Sequence, residues 1–100
     1  MKLEEKTFGM KAEYKYLKGK HPDCLLLLRN SDFYYTFGED AKEVSETLGI
    51  TLQRENGNPK ETMTTFPYQA LDTYLPKLIR AGKRVAIAEY TKDVTERVWA

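Results

Sequence analysis

The sequence predicts an α/β (α+β) domain, a mixed β-sheet flanked by about three helices. Three observations lead there. Apolar residues recur at spacings of three and four in three separate stretches, as on amphipathic helices. Between them lie short runs that are either wholly apolar or alternate with period two, as strands do. The two kinds interleave along 100 residues, a length that supports one hydrophobic core and not two, and 41% hydrophobic with 31% charged residues is the composition of a globular chain.

Residues 1–9 show no sustained period and are expected to be a flexible start, or an extra strand around Lys6-Thr7-Phe8, ahead of a single domain over 10–100. Met10, Tyr14 and Leu17 then mark a short helix ending at Gly19, and His21-Pro22-Asp23 turns the chain because the residue before a proline is pushed out of the helical region. Cys24 to Leu28 reads as a central strand covered on both faces, with Arg29-Asn30-Ser31-Asp32 carrying the chain out to solvent. Phe33 to Phe37 reads as the next strand, with Phe33, Tyr35 and Phe37 on one face and Tyr34 and Thr36 on the other.

Gly38-Glu39-Asp40 opens a helix with its acids at the positive end of the dipole; Ala41, Val44 and Leu48 form its apolar stripe and Gly49 stops it. A strand is expected at Ile50–Gln53, an exposed loop at Arg54–Glu61, and a further strand at Thr62–Phe66. Pro67 suits the first position of a third helix, whose core stripe is Ala70, Leu71, Tyr74, Leu75, Leu78 and Ile79. Pro76 lacks an amide proton and crowds the carbonyl of Asp72, which predicts a kink or break. Arg84 to Tyr90 is apolar enough for a central strand, and Thr91 to Ala100 reads as a charged tail.

Several function classes lack their residues. The glycine-rich phosphate loop is absent, since Gly82-Lys83 is followed by Arg84 and has no glycine five residues before Gly82; no Gly-x-Gly-x-x-Gly run and no His-Glu-x-x-His pair occurs. Nothing in the spacing of Ser31, Ser45 and His21 singles out a triad. No enzyme, nucleotide site, metal or cofactor is therefore expected. Cys24 is the single cysteine, so no internal disulfide forms, and no apolar run is long enough to span a bilayer, which sets a cytoplasmic expectation. The formal net charge of +1 argues against holding nucleic acid by bulk electrostatics. Two basic clusters remain, Lys11, Lys15 and Lys18 at helical spacing, and Lys77, Arg80, Lys83 and Arg84 around the end of the third helix. Each is either a solvated face or a phosphate-binding surface.

The densest feature is the run Asn30 to Phe37, with four aromatic rings within five residues. These rings are either core and cross-strand packing or, for at least one of them, a surface presented to a ligand.

The order of motifs along the chain resembles the N-terminal mismatch-recognition domain (domain I) of the MutS family of DNA mismatch-repair proteins, over roughly Tyr14 to Val98. The likeness rests on Tyr16-Leu17 followed by His21-Pro22, and on Asp32-Phe33-Tyr34 with Phe37 and Asp40-Ala41-Lys42. It continues through Leu48-Gly49-Ile50-Thr51-Leu52, Met63 with Phe66-Pro67-Tyr68-Gln69-Ala70, Tyr74-Leu75 with Lys77-Leu78, and Val85-Ala86-Ile87-Ala88-Glu89. The resemblance implies a mixed sheet flanked by helices and a Phe-x-Glu motif, whose phenylalanine enters the minor groove and stacks on a mispaired or unpaired base while its glutamate hydrogen-bonds that base. A wedge of this kind costs less at a mismatch, which has already lost pairing and stacking.

By position Phe33 matches the wedge, Tyr35 occupies the glutamate position, Ser31 replaces the glycine before the aspartate, and Thr65 replaces another family glycine. The resemblance also implies that the family continues beyond this segment into connector, lever, clamp and ATPase domains. The expected function is a stand-alone module binding mismatched, distorted or single-stranded DNA weakly, through Phe33, Tyr35 and Ser31 with Arg80 and Lys83 from the later basic cluster. The alternative is a module that docks on a DNA-repair protein, having kept the fold and lost mismatch recognition.

Overall fold

The computed structural model describes residues 2–54 and 61–90, with residues 2–8 as backbone only. Helix α1 (Lys2–Lys20) leads into the strands β1 (Leu25–Asn30) and β2 (Phe33–Phe37), followed by α2 (Gly38–Leu48), β3 (Gln53–Arg54) and β4 (Thr62–Pro67). A 3₁₀ turn (Tyr68–Ala70) connects β4 to α3 (Leu71–Arg80), and β5 (Val85–Glu89) completes a five-stranded sheet of order β3-β4-β2-β1-β5. Only β1 and β5 run parallel, so the sheet is mixed.

The period-two pattern sorts side chains onto two faces. Leu25, Leu27, Tyr34 and Phe66 pack on one face under Val44 of α2 and Leu78 of α3. Leu26 and Leu28 pack on the other face with Met10 and Tyr14 of α1, joined by Tyr35 and Phe37. β1 carries four consecutive buried leucines because it lies between two strands and beneath helices on both sides. On the α2 face the buried hydroxyls of Thr36 and Thr64 hydrogen-bond to each other across the ladder, so neither is left unpaired in the core. α1 passes so close to the end of β5 that a Cβ at Gly9 would lie 2.8 Å from the Tyr90 hydroxyl, a distance only glycine permits without displacement.

One interaction joins α1, β1 and α2. Asn30 pairs with Phe33 and Leu28 with Tyr35, so the antiparallel register would next set Leu26 opposite Phe37. There the chain leaves the sheet through Gly38, whose φ of 65° is open to glycine at no steric cost. Asp40 and Tyr14 take the place of the strand partner: the Leu26 amide donates to Asp40 Oδ2 at 3.1 Å, and the Tyr14 hydroxyl donates toward the Leu26 carbonyl and Asp40 Oδ2, each at 2.7 Å. The Phe37 backbone also hydrogen-bonds the phenol. Lys18 Nζ closes the cluster at 2.9 Å from Asp40 Oδ1 and bonds the Cys24 carbonyl. Asp40 is thus more than the acidic complement of the α2 dipole.

Several elements differ from expectation. Residues 2–9 belong to α1, so there is neither a strand at 6–8 nor a break before Met10. The segment lacks an apolar period, but Leu, Glu and Lys are good helix formers and extend a helix that packing anchors further on. β1 continues to Asn30, leaving Ser31 and Asp32 as the whole connection. β3 is confined to Gln53–Arg54, and residues 55–60 of the expected loop lie outside the described residues, as does the expected tail at 91–100. Pro67 ends β4 with ψ of 144° and caps the 3₁₀ turn at Tyr68, one residue before the first helical position. α3 runs through Pro76 without a break, because Tyr74 and Leu78 anchor it in the core on either side of the one lost bond. Ile79 is turned out of the stripe and is 53% exposed, and β5 is an edge strand with Ile87 47% exposed.

Burial, then the adjacent Asp40 carboxylate, pushes the Tyr14 phenol well above its ordinary value. The folded state therefore holds this proton where the unfolded chain has released it, so the contribution is complete below about pH 10 and is lost as pH rises beyond it. Tyr14→Phe should destabilise the protein by about 1–3 kcal/mol at neutral pH, the cost of leaving buried backbone groups unpaired. A urea titration showing an unchanged midpoint would exclude this role.

Candidate nucleic-acid interface

β1 and β2 are joined by a two-residue connection, Ser31-Asp32, at one end of the sheet. Ser31 has φ of 59°, the left-handed region that glycine enters freely and other residues enter at a cost. Ser31 thus holds the conformation that a glycine there would take freely. Thr65 of β4 pairs with Tyr35 and is not left-handed, so it carries no such strain.

Phe33 follows the turn. Its backbone is held between Asn30 of β1 and Pro67 of β4, and its side chain, on the α1 face, is 42% exposed. A large apolar ring so exposed on a backbone fixed from both sides is set to make a contact without a loop having to order first. Tyr35 faces the same way, as alternation requires, but it is half-buried in the cluster under α1 and stacks on Phe37 with centroids 6.4 Å apart and planes 12° from parallel. Phe37 in turn meets Tyr14 edge-on at 5.1 Å. The row thus runs from an exposed ring to a core ring, and both readings of the aromatic run apply to different members of it.

Two residues at this end have no distinctive signal in the sequence. The Arg29 guanidinium lies 4.0 Å from the centroid of the Tyr68 ring, and its Nε donates to the Ser31 carbonyl at 2.9 Å. The Tyr68 amide donates to the Asp32 carbonyl at 2.9 Å. Arg29 is expected on a solvent-exposed exit from β1, but its register with Tyr34 places it within the ladder.

Arg80 and Lys83 do not join this group. β5 starts opposite Leu25, at the far end of β1 from Asn30, and at about 3.3 Å per residue the two ends are roughly 16 Å apart. Lys83 pairs with Glu43 at 3.0 Å, while Arg80 is exposed with its Nε 3.5 Å from the Pro76 carbonyl. A depression of about 250 Å³ at this far end has Lys18 and Lys83 on its wall, each matched by Asp40 or Glu43, so it offers little net attraction to an anion. The α1 cluster is divided too: Lys11 pairs with Glu61 at 2.6 Å, Lys18 with Asp40, and Lys15 is exposed. Among the described residues no group of three or more His, Cys, Asp or Glu is arranged to hold a metal, and no helix is long and apolar enough to cross a membrane.

The left-handed Ser31 yields a measurable consequence. Glycine would relieve about 1–2 kcal/mol of strain and return about 0.4–1 kcal/mol through a freer unfolded chain. Ser31→Gly should therefore raise stability slightly, and a lowered urea midpoint would contradict the strain.

The sequence model of the family described as MutS domain I matches residues 8–98. Among curated proteins, the chain is 56% identical over 86 residues to the DNA mismatch repair protein MutS of Phocaeicola vulgatus, covering 84% of this chain and 10% of that protein. It is likewise 56% identical over 86 residues to the MutS of Bacteroides thetaiotaomicron, with the same 84% and 10% coverage. With the MutS of Porphyromonas gingivalis it shares 57% over 83 residues, 81% of this chain and 9% of that one. The chain therefore spans about a tenth of the length of the curated relatives it matches. The mixed sheet with α1 on one face and α2 and α3 on the other, the family match over nearly the whole chain and these identities together assign the chain to the MutS domain I family.

Proposed function

We propose that this chain is a DNA-binding module, with Phe33 stacking on a base of mismatched, distorted or single-stranded DNA. The observation that carries the reading is the exposure of the Phe33 ring on a backbone paired on both sides. Family membership supports it, because relatives that share more than half of the aligned residues are named DNA mismatch repair proteins. A ring inserted at a step that has already lost pairing meets less resistance than at a matched step, which favours mismatched or unpaired DNA.

Tyr35 stands where the family's motif has glutamate, and its packing on Phe37 makes it an aromatic floor behind the wedge. Recognition then relies on stacking and deformability more than on a carboxylate reading a base edge. Arg80 and Lys83 would take part only in a contact that spans the sheet. With a net charge of +1, affinity should be modest and strongly weakened by salt. A second reading, docking on a DNA-repair protein, draws support from Ile87 on the outer edge of β5 and from Ile79, both half exposed.

Titration of mismatched, homoduplex and single-stranded oligonucleotides at low salt tests the first reading. Phe33→Ala should lose about 1–3 kcal/mol of binding, the usual worth of one stacked base. Equal binding by parent and variant, or no binding of the parent to any of the three, would overturn it; the second outcome would leave protein docking as the surviving reading.

A further inference from the structure

The hairpin next to Phe33 is closed by a ring of contacts that the stacking role does not by itself require. Arg29 Nε donates to the Ser31 carbonyl, the Tyr68 amide donates to the Asp32 carbonyl, and the Arg29 guanidinium lies over the Tyr68 ring, 4.0 Å from its centroid. Both carbonyls of the turn are thereby held, and the two groups that hold them hold each other. The Arg29 carbonyl accepts a further bond from the Tyr90 amide at 2.6 Å, tying the base of this ring to the end of β5.

Ser31 supplies the reason such a ring is needed. A left-handed serine persists only where its surroundings outweigh its preference for other conformations. The Ser31 carbonyl belongs to the central peptide of the turn, whose orientation sets how the chain enters β2 at Phe33.

We infer that Arg29 is a positioning residue for Phe33: clamped between Tyr68 and the Ser31 carbonyl, it holds the strained turn and so fixes the direction in which the exposed ring points. The inference rests on the proposed stacking role of Phe33. A lysine cannot replace Arg29 here, because it has neither the planar group that stacks on a ring nor an Nε donor at the same height.

The test is Arg29→Lys in the 100-residue chain, with Phe33→Ala alongside. Without DNA, amide hydrogen exchange at Tyr68, whose amide donates to the Asp32 carbonyl, should quicken several-fold in Arg29→Lys while amides of β1 such as Leu27 keep the parent rate. With mismatched oligonucleotide, Arg29→Lys should bind about three- to tenfold more weakly although its charge is unchanged, and adding Ser31→Gly should recover part of the loss by removing the strain. Parent-like exchange, or quickened exchange with parent-like binding, would overturn the positioning role. Loss of affinity in Phe33→Ala with none in Arg29→Lys would sink this inference and leave the stacking role standing, whereas parent-like binding by Phe33→Ala would remove the stacking role itself.

Discussion

The structure depends on how Leu26 is satisfied after β2 departs. A buried strand residue must pair its amide and its carbonyl, and here the neighbouring strand turns away at Gly38 just where the register calls for it. Asp40 accepts from the amide and Tyr14 donates to the carbonyl, one reaching in from α2 and the other from α1. Helices on opposite faces of the sheet are therefore joined through its middle by hydrogen bonds in a low-dielectric setting, where an unpaired member costs much more than a paired one contributes. Lys18 supplies the countercharge to the Asp40 carboxylate.

That anchoring lies at one end of β1 and the exposed aromatic ring at the other. At the anchored end Lys18 and Lys83 are matched to Asp40 and Glu43. At the hairpin end the sheet closes in two residues, one of them strained, and Phe33 projects from the paired backbone. Stability and presentation are thus divided along a single strand, with the row Phe33, Tyr35, Phe37 and Tyr14 running between them on the α1 face.

The packing of Tyr35 takes its meaning from that row. A glutamate at this position would have to be solvated or paired at the edge of an apolar cluster, whereas tyrosine packs on Phe37 and extends the cluster toward Phe33. Tyr35 thus adds apolar surface beside the exposed Phe33 ring and places no ionised acceptor there. Ser31 carries strain in the same hairpin, and Arg29 meets both its carbonyl and the Tyr68 ring.

Periodicity was enough to define most of the fold, because burial on a sheet face or helix stripe leaves a direct trace in residue order. The alternation at Phe33–Phe37, the leucine run of β1 and the α2 stripe up to Gly49 all read correctly from spacing, as did the shared face of Phe33 and Tyr35. Where local signals competed with packing they misled: Pro76 suggests a break, and none occurs where Tyr74 and Leu78 are anchored in the core, whereas Pro67 lies within one residue of the helical start it suggests. The sequence by itself determined a mixed sheet with helices, the family's motif order and the candidacy of Phe33. Only the tertiary structure decided that Arg80 and Lys83 lie at the far end of the sheet, that Tyr35 is half-buried while Phe33 is exposed, and that Arg29 meets Tyr68. Those facts depend on strand order and register, which bring together residues nearly forty positions apart and leave no trace in local spacing.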